Sequence, residues 1–291
     1  MNADLSATGV VASGLKKSSM ERITHFITYV ILLFFSGIMV LPFIWMVSSS
    51  LKNLEEVSEI PIRWIPETFR FHNYVEVFQS IPMARFMFNS LFVSVSVMIL
   101  SLFVSSMAAY AFARMDFKGK NILFMSFLTT LMIPQQVTMI PNFLIMKYLG
   151  WLNSYSALIF PSVFTAFGVF MLRQFFLSIP KELEEAARID GCSRFRIYWN
   201  IMIPLAQPAF VTLGIFIFLG EWNSFLWPLI VIDSIEFQPI QVGLRSFQGE
   251  FMTHWHLMMA GAFIAEAPVL IFYMFCQKYI IQGIATSGIK G

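Results

Sequence analysis

The stretch Ser90-Leu-Phe-Val-Ser-Val-Ser-Val-Met-Ile-Leu-Ser-Leu-Phe-Val-Ser-Ser-Met-Ala-Ala-Tyr-Ala-Phe-Ala113 contains no charged residue. A helix needs roughly 17–25 mostly apolar residues to cross the hydrocarbon of a bilayer, and this run meets that length. Five more runs resemble it: Phe26–Val47, Ile122–Met139, Tyr155–Leu172, Phe210–Ile232 and Leu257–Cys276. Backbone N–H and C=O groups cannot go unpaired in lipid, so runs of this length are expected to be helical. A β-barrel is built from short alternating segments, and these runs do not read that way. The expected fold is therefore all-α and membrane-integral, with six transmembrane helices. The third run carries Pro134, Gln135 and Gln136, which mark a broken helix facing a pathway.

The composition of the whole chain agrees. Of 291 residues 57% are hydrophobic and 12% charged, where a soluble protein carries about 25% charged residues. That deficit excludes a soluble enzyme, a disordered chain and a secreted disulfide scaffold. The net charge of +2 gives no reason to expect nucleic acid, and Cys192 and Cys276 are too few for a disulfide framework. Lys16, Lys17 and Arg22 precede the first run, but its apolar length exceeds the roughly 7–15 residues of a signal core. It is read as a helix.

Lys and Arg set the orientation. One side receives Lys16, Lys17, Arg22, Arg114, Lys118, Lys120, Lys181, Arg188, Arg194, Arg196, Lys278 and Lys290, with Arg173 at the edge. The other receives Lys52, Arg63, Arg70, Arg85, Lys147 and Arg245. The richer side is expected to be cytoplasmic, with both termini inside. Residues 1–22 read as a flexible cytoplasmic tail and 23–291 as one six-helix domain, ending in a cytoplasmic tail over 280–291. The external loop 52–85 is expected to form an ordered cap with short helices.

The connection 178–208 is the most informative. Pro180 can open a helix, Glu182, Glu184 and Glu185 suit its positive end, and Gly191 can end it in a left-handed turn. Ser193 can cap a second helix that continues through Trp199, Ile201 and Ile203 until Pro204. Two short helices around a glycine elbow make either a docking knob, with Ala186 and Ala187 permitting close approach, or an amphipathic loop lying on headgroups.

Glu185-Ala186-Ala187, Gly191 after three residues, then Ile201, Ile203 and Pro204 resemble the EAA signature of ABC importer permeases. Only the signature's Leu differs, being Ile203. Met132-Ile-Pro-Gln-Gln136, Ile140-Pro141, Gly220-Glu-Trp-Asn-Ser-Phe-Leu-Trp-Pro228 and Gly283–Gly291 are similar to the carbohydrate branch, in particular the second permease of maltose-type systems. The resemblance implies a type I permease fold whose coupling loop, Glu185–Pro204, sits on a cytoplasmic ATPase subunit. It implies a second homologous permease, two ATP-binding cassette subunits and an extracellular or periplasmic solute-binding protein, in a prokaryotic inner membrane. ATP and Mg belong to the partner subunits. This chain is expected to bind no cofactor and to catalyse nothing, and it has no Gly-x-x-x-x-Gly-Lys-Ser/Thr loop.

Glu221 and Glu266 lie deep in the fifth and sixth runs, where an ionised carboxylate needs a partner or water. Each reads as a sugar-hydroxyl acceptor, a proton site or a structural carboxylate. Beside Glu221, Trp222, Asn223 and Trp227 combine an apolar platform with polar groups, as a sugar site requires. With Gln135 and Gln136 they form the candidate substrate pathway. A membrane-embedded enzyme using Glu221 and Glu266 is the rival reading. His254 and His256 have no third ligand nearby, so no metal site is expected. The absence of Lys and Arg deep in the runs favours an uncharged solute.

Overall fold

The computed structural model describes the backbone of residues 5–249 and 252–288. Three helices are long and apolar enough to span a membrane unaided: α1 (Leu5–Ser50), α4 (Met83–Arg114) and α15 (Trp255–Gly288). Between residues 21 and 44 every side chain of α1 is exposed, including Leu33 and Met39 at over 70%. A helix that is apolar all round and uncovered by protein has lipid as its matching solvent. The α1 backbone is helical from Leu5, so the tail expected over 1–22 gives way to helix. No proline stops the chain there, and residues 1–4 lie outside the description. Similarly, α15 carries helix through the expected tail at 280–288, with 289–291 outside the described residues.

The other three runs are broken. The count of spans rises to six if each of three bent pairs is one: Lys120–Met132 with Gln135–Tyr148, Tyr155–Val163 with Ala166–Ser178, and Arg194–Leu205 with Gln207–Trp222. The third run gives α5 (Lys120–Thr129), a 3₁₀ turn at Thr130–Met132, and α6 (Gln135–Tyr148), bent by 101° at Ile133-Pro134. Pro134 has no N–H to continue the ladder, as expected. The fourth run gives α7 (Tyr155–Val163) and α8 (Ala166–Ser178), bent by 42°. Here Thr165 accepts a hydrogen bond from the Gly168 N–H and restarts the helix.

The fifth run is corrected from one helix to two, α12 (Gln207–Trp222) and α13 (Leu226–Val231). The chain turns at 223–225, where the Asn223 side chain bonds back to the Leu219 carbonyl and Pro228 lies inside the second piece.

Packing centres on α4, which contacts α7, α8 and α12, while α15 packs on α1, α12 and the cap helix α3 (His72–Ser80). A cluster at one end joins Tyr110, Leu172, Phe176, Ile197, Tyr198, Met202 and Leu213. At the other end lie Met83, Phe86, Phe218, Trp222, Ile240 and Phe247. A third cluster gathers Val93, Val97, Leu158, Trp227 and Val231. Residues 52–82 form an ordered cap, with α2 (Leu54–Val57) capped by Asn53. Lys52 is fully buried there, its ammonium over the Trp45 ring and donating to the Arg63 carbonyl.

Close approach at α14 (Ile240–Leu244) depends on a missing side chain. A Cβ on Gly243 would lie 2.1 Å from Phe86 Cδ2, and Phe86 is buried with nowhere to move. Gly243→Ala is expected to cost about 1–3 kcal/mol by overpacking. The thermal midpoint in detergent checks this: a value unchanged from the parent chain contradicts it.

Candidate functional site

The connection between α8 and α12 folds into a hairpin. Its first arm is α9 (Glu182–Ile189), with Glu182, Glu184 and Glu185 in the first turn where the dipole favours them. Gly191 takes φ +79°, its N–H bonds to the Arg188 carbonyl, and the Cys192 N–H bonds to the Ala187 carbonyl. Those two bonds are a Schellman closure, which needs the left-handed residue that glycine supplies. Ser193 accepts from the Arg196 N–H and opens α10 (Arg194–Ile197). A turn of π-helix at Tyr198–Met202 follows, then α11 (Ile203–Leu205). The wider turn accommodates Pro204, whose ring crowds the carbonyl four residues back and whose nitrogen donates nothing. The chain bends by 77° into α12 one residue past Leu205.

Burial divides the hairpin in two. Glu184, Ala187, Ile197, Tyr198 and Met202 face the helices, with Cys192 packed beside Ala187. Leu183, Glu185, Ala186, Ile189, Phe195 and Trp199 are exposed, Ile189 at 87%. Gly191 is exposed, and nothing lies within 4 Å of the position a Cβ would take. Of the residues expected at a docking contact, Glu185, Ala186, Gly191 and Pro204 are on the outer surface and Ile201 is half-buried. Ala187 is the correction. It faces inward because it sits three residues after Glu184 on the same helical face, and it makes the apolar contact that closes the glycine turn.

Sequence reasoning missed what Glu184 does. Its Oε1 lies 2.9 Å from Arg114 Nε, with the two side chains 6% and 3% exposed. The Arg114 guanidinium also donates to the carbonyls of Phe176 and Ile179. The available signal was an arginine ending an otherwise uncharged run, opposite an acid-rich loop.

The pathway candidates separate as well. Gln135 and Gln136 are exposed in the first turn of α6, at the sharp bend. Glu221 lies across one cavity from Ser162, near the α7–α8 break. That cavity, of about 230 Å³, is also lined by Thr165, Phe167, Leu213 and Phe216. Asn223 is exposed and accepts a long hydrogen bond from Gln241.

Trp222 and Trp227 are packing residues here and not a platform beside the cavity. Trp222 is 1% exposed and stacks on Phe218. Trp227 is buried and donates from Nε1 to the Ala157 carbonyl. Trp222→Phe is thus expected to cost about 1 kcal/mol of stability while leaving solute preference unchanged. Uptake rates for two competing solutes check it, and a changed ratio contradicts the placement.

On α4, Asn89 is buried and holds three partners: it donates to the carbonyls of Glu236 and Gln238 and accepts from Tyr155. His254 and His256 stack edge-on at 6.1 Å. Among the described residues no three of His, Cys, Asp and Glu gather as metal ligands. Glu266 is half-buried on α15, a different helix from the one bearing Glu221.

Broken apolar helices, a projecting hairpin and a largely apolar cavity holding one carboxylate are the features of a polytopic membrane transport subunit. The family model described as binding-protein-dependent transport system inner membrane component matches residues 101–286, and the chain belongs to that family.

It is 36% identical over 261 residues to the arabinooligosaccharides transport system permease protein AraQ of Halalkalibacterium halodurans, covering 89% of this chain and 94% of that one. It is 34% identical to the sulfoquinovosyl glycerol transport system permease protein SmoH of Agrobacterium fabrum, covering 86% and 88%. Among solved structures, a chain of a bacterial ABC transporter that imports the acidic polysaccharide alginate superposes with a TM-score of 0.79. The two share 26% identity, over 89% of this chain and 97% of that one.

The protein is therefore a non-catalytic permease subunit of an ABC importer. The reading of a membrane-embedded enzyme using Glu221 and Glu266 is not supported, since the chain belongs to a family of transport components.

Proposed function

We propose that this chain is one of two permeases in an ATP-driven carbohydrate importer of the maltose-like type. The observation that carries the reading is the outer face of the hairpin. Ala186, Ile189, Phe195 and Trp199 stand exposed around a left-handed glycine, on a segment whose other face is fully packed. Exposed contiguous apolar surface marks an interaction site. Here it fits a cleft on one of the two ATPase subunits, which hold ATP and Mg. The second permease completes the pathway, and an external solute-binding protein delivers the sugar to the cap side. That protein is periplasmic in a two-membrane cell. The hairpin and both termini then lie in the cytoplasm, the arrangement the Lys and Arg bias favours.

Gln135, Gln136, Glu221 and Asn223 are the polar groups this chain offers to a passing solute, and a carboxylate in the wall favours a neutral oligosaccharide over an anionic one. Alternating access needs only two packings of the same helices, exchanged by closure of the ATPases. The test is uptake of labelled neutral oligosaccharides into vesicles holding both permeases, both ATPase subunits and the binding protein. Uptake that requires ATP inside and this chain in the membrane is expected. ATP-independent uptake, or uptake unaffected by omitting the chain, overturns the proposal.

A further inference from the structure

We infer that Arg114 is the clamp through which movement of the hairpin becomes movement of the membrane helices. This rests on the hairpin being the ATPase docking element. Arg114 is the last residue of α4, and its planar fork can engage several acceptors at once. Nε meets Glu184 on α9 at 2.9 Å, while Nη2 donates to the carbonyls of Phe176, near the end of α8, and Ile179, just beyond it. One side chain therefore ties three segments together. Glu184 is served on its other oxygen by Arg188 at 3.7 Å.

Both charges of the central pair are buried, and separating them leaves Glu184 with only the half-exposed Arg188 and Arg114 with only neutral carbonyls, which is costly for buried charges. The connection is consequently stiff, and α9 cannot shift without carrying α4 and the end of α8.

The second arm of the hairpin is fixed to the same helix. The Ser106 and Tyr198 hydroxyls meet at 2.6 Å, and the Tyr110 ring packs on Tyr198 at 5.3 Å and on Phe176 at 6.3 Å. From Arg114, α4 runs its whole length, 32 residues or about 48 Å, past α12 and the helix bearing Ser162. A displacement applied at the hairpin thus reaches the far end through one rigid element. Arg114 is a positioning residue in this scheme: it touches neither solute nor nucleotide.

The experiment measures ATP hydrolysed per solute transported in the reconstituted complex, with ATPase co-purification measured on the same samples. Arg114→Met is expected to keep the ATPase subunits bound while solute uptake falls about tenfold and the ATP cost per solute rises accordingly. Glu184→Gln, which preserves volume and the Arg114 bonds to the carbonyls, is expected to move both in the same direction by severalfold. The double variant Arg114→Met with Glu184→Gln is expected to be no worse than Arg114→Met alone, as for residues acting as one unit.

Coupling unchanged in Glu184→Gln, or multiplicative losses in the double variant, overturns the clamp. So does loss of ATPase binding in Arg114→Met, since that makes it a docking residue. If Arg114→Met does not reach the membrane, Glu184→Gln alone decides. If the unaltered chain binds no ATPase, the docking reading itself fails, which the co-purification shows separately.

Discussion

Ala186→Trp leaves the permease folded and strips the ATPase from it, whereas Ala187→Trp damages the permease itself. The two alanines are neighbours in sequence but occupy opposite environments. Ala186 is exposed beside Glu185 and Ile189, with no protein surface over it. A large ring there blocks close approach of a partner, and loss of a central contact weakens binding by about 2 kcal/mol or more, roughly 30-fold. Ala187 is buried against Ile197, Tyr198 and Cys192 in the core at the hairpin's base. A ring forced into that space displaces packed side chains at about 1–3 kcal/mol, and opens the glycine turn whose carbonyl bond Ala187 supplies. Thermal unfolding and ATPase co-purification, run side by side on both variants, separate the effects. Equal behaviour of the two variants contradicts the assignment of faces.

Asn89→Leu is expected to be the most destabilising single change at the cap end. The side chain is fully buried and serves three partners that lie far from it in sequence: Tyr155 Oη at 2.7 Å and the Glu236 and Gln238 carbonyls at 2.9 Å each. Leucine fills similar space but offers no polar atom, so the Tyr155 hydroxyl and the Gln238 carbonyl lose their partner, while the Glu236 carbonyl keeps the Arg85 guanidinium. Each group left without its partner costs about 1–3 kcal/mol, giving about 2 kcal/mol or more in total. Asn89→Asp keeps the acceptor for Tyr155 but sets a buried carboxylate oxygen against the two carbonyl oxygens, so it is expected to be destabilised to a similar degree. Thermal midpoints in one detergent rank the three proteins, and leucine matching the parent chain contradicts the bracket.

How much of this was legible in the sequence depended on whether the signal was compositional or directional. The apolar runs were readable because lipid demands length and apolarity, whatever the neighbours. Pro134 announced its break because the missing N–H acts locally. The break at Thr165 was not announced, since it depends on a hydroxyl choosing the Gly168 N–H over its own helix. Nor was the turn after Trp222, which occurs inside a run apolar enough to pass as one helix.

Gly191 was readable because only a left-handed residue closes that turn. The fate of Trp222 was not, because adjacent residues on a helix point about 100° apart, so Glu221 can face a cavity while Trp222 faces the core. The same limit hid Glu184: among three acids in one helical turn, sequence cannot say which one points inward to an arginine on another helix.

The central claim is that the exposed face of the hairpin carries the ATPase. The most direct measurement places a photo-crosslinking amino acid at Ile189, the most exposed apolar side chain of the hairpin, and a second at Phe216, exposed on α12. The account predicts an adduct with a nucleotide-binding subunit at Ile189 and none at Phe216. Lipid adducts alone at Ile189, in membranes where that subunit is present, would contradict it and leave the hairpin lying on the headgroups.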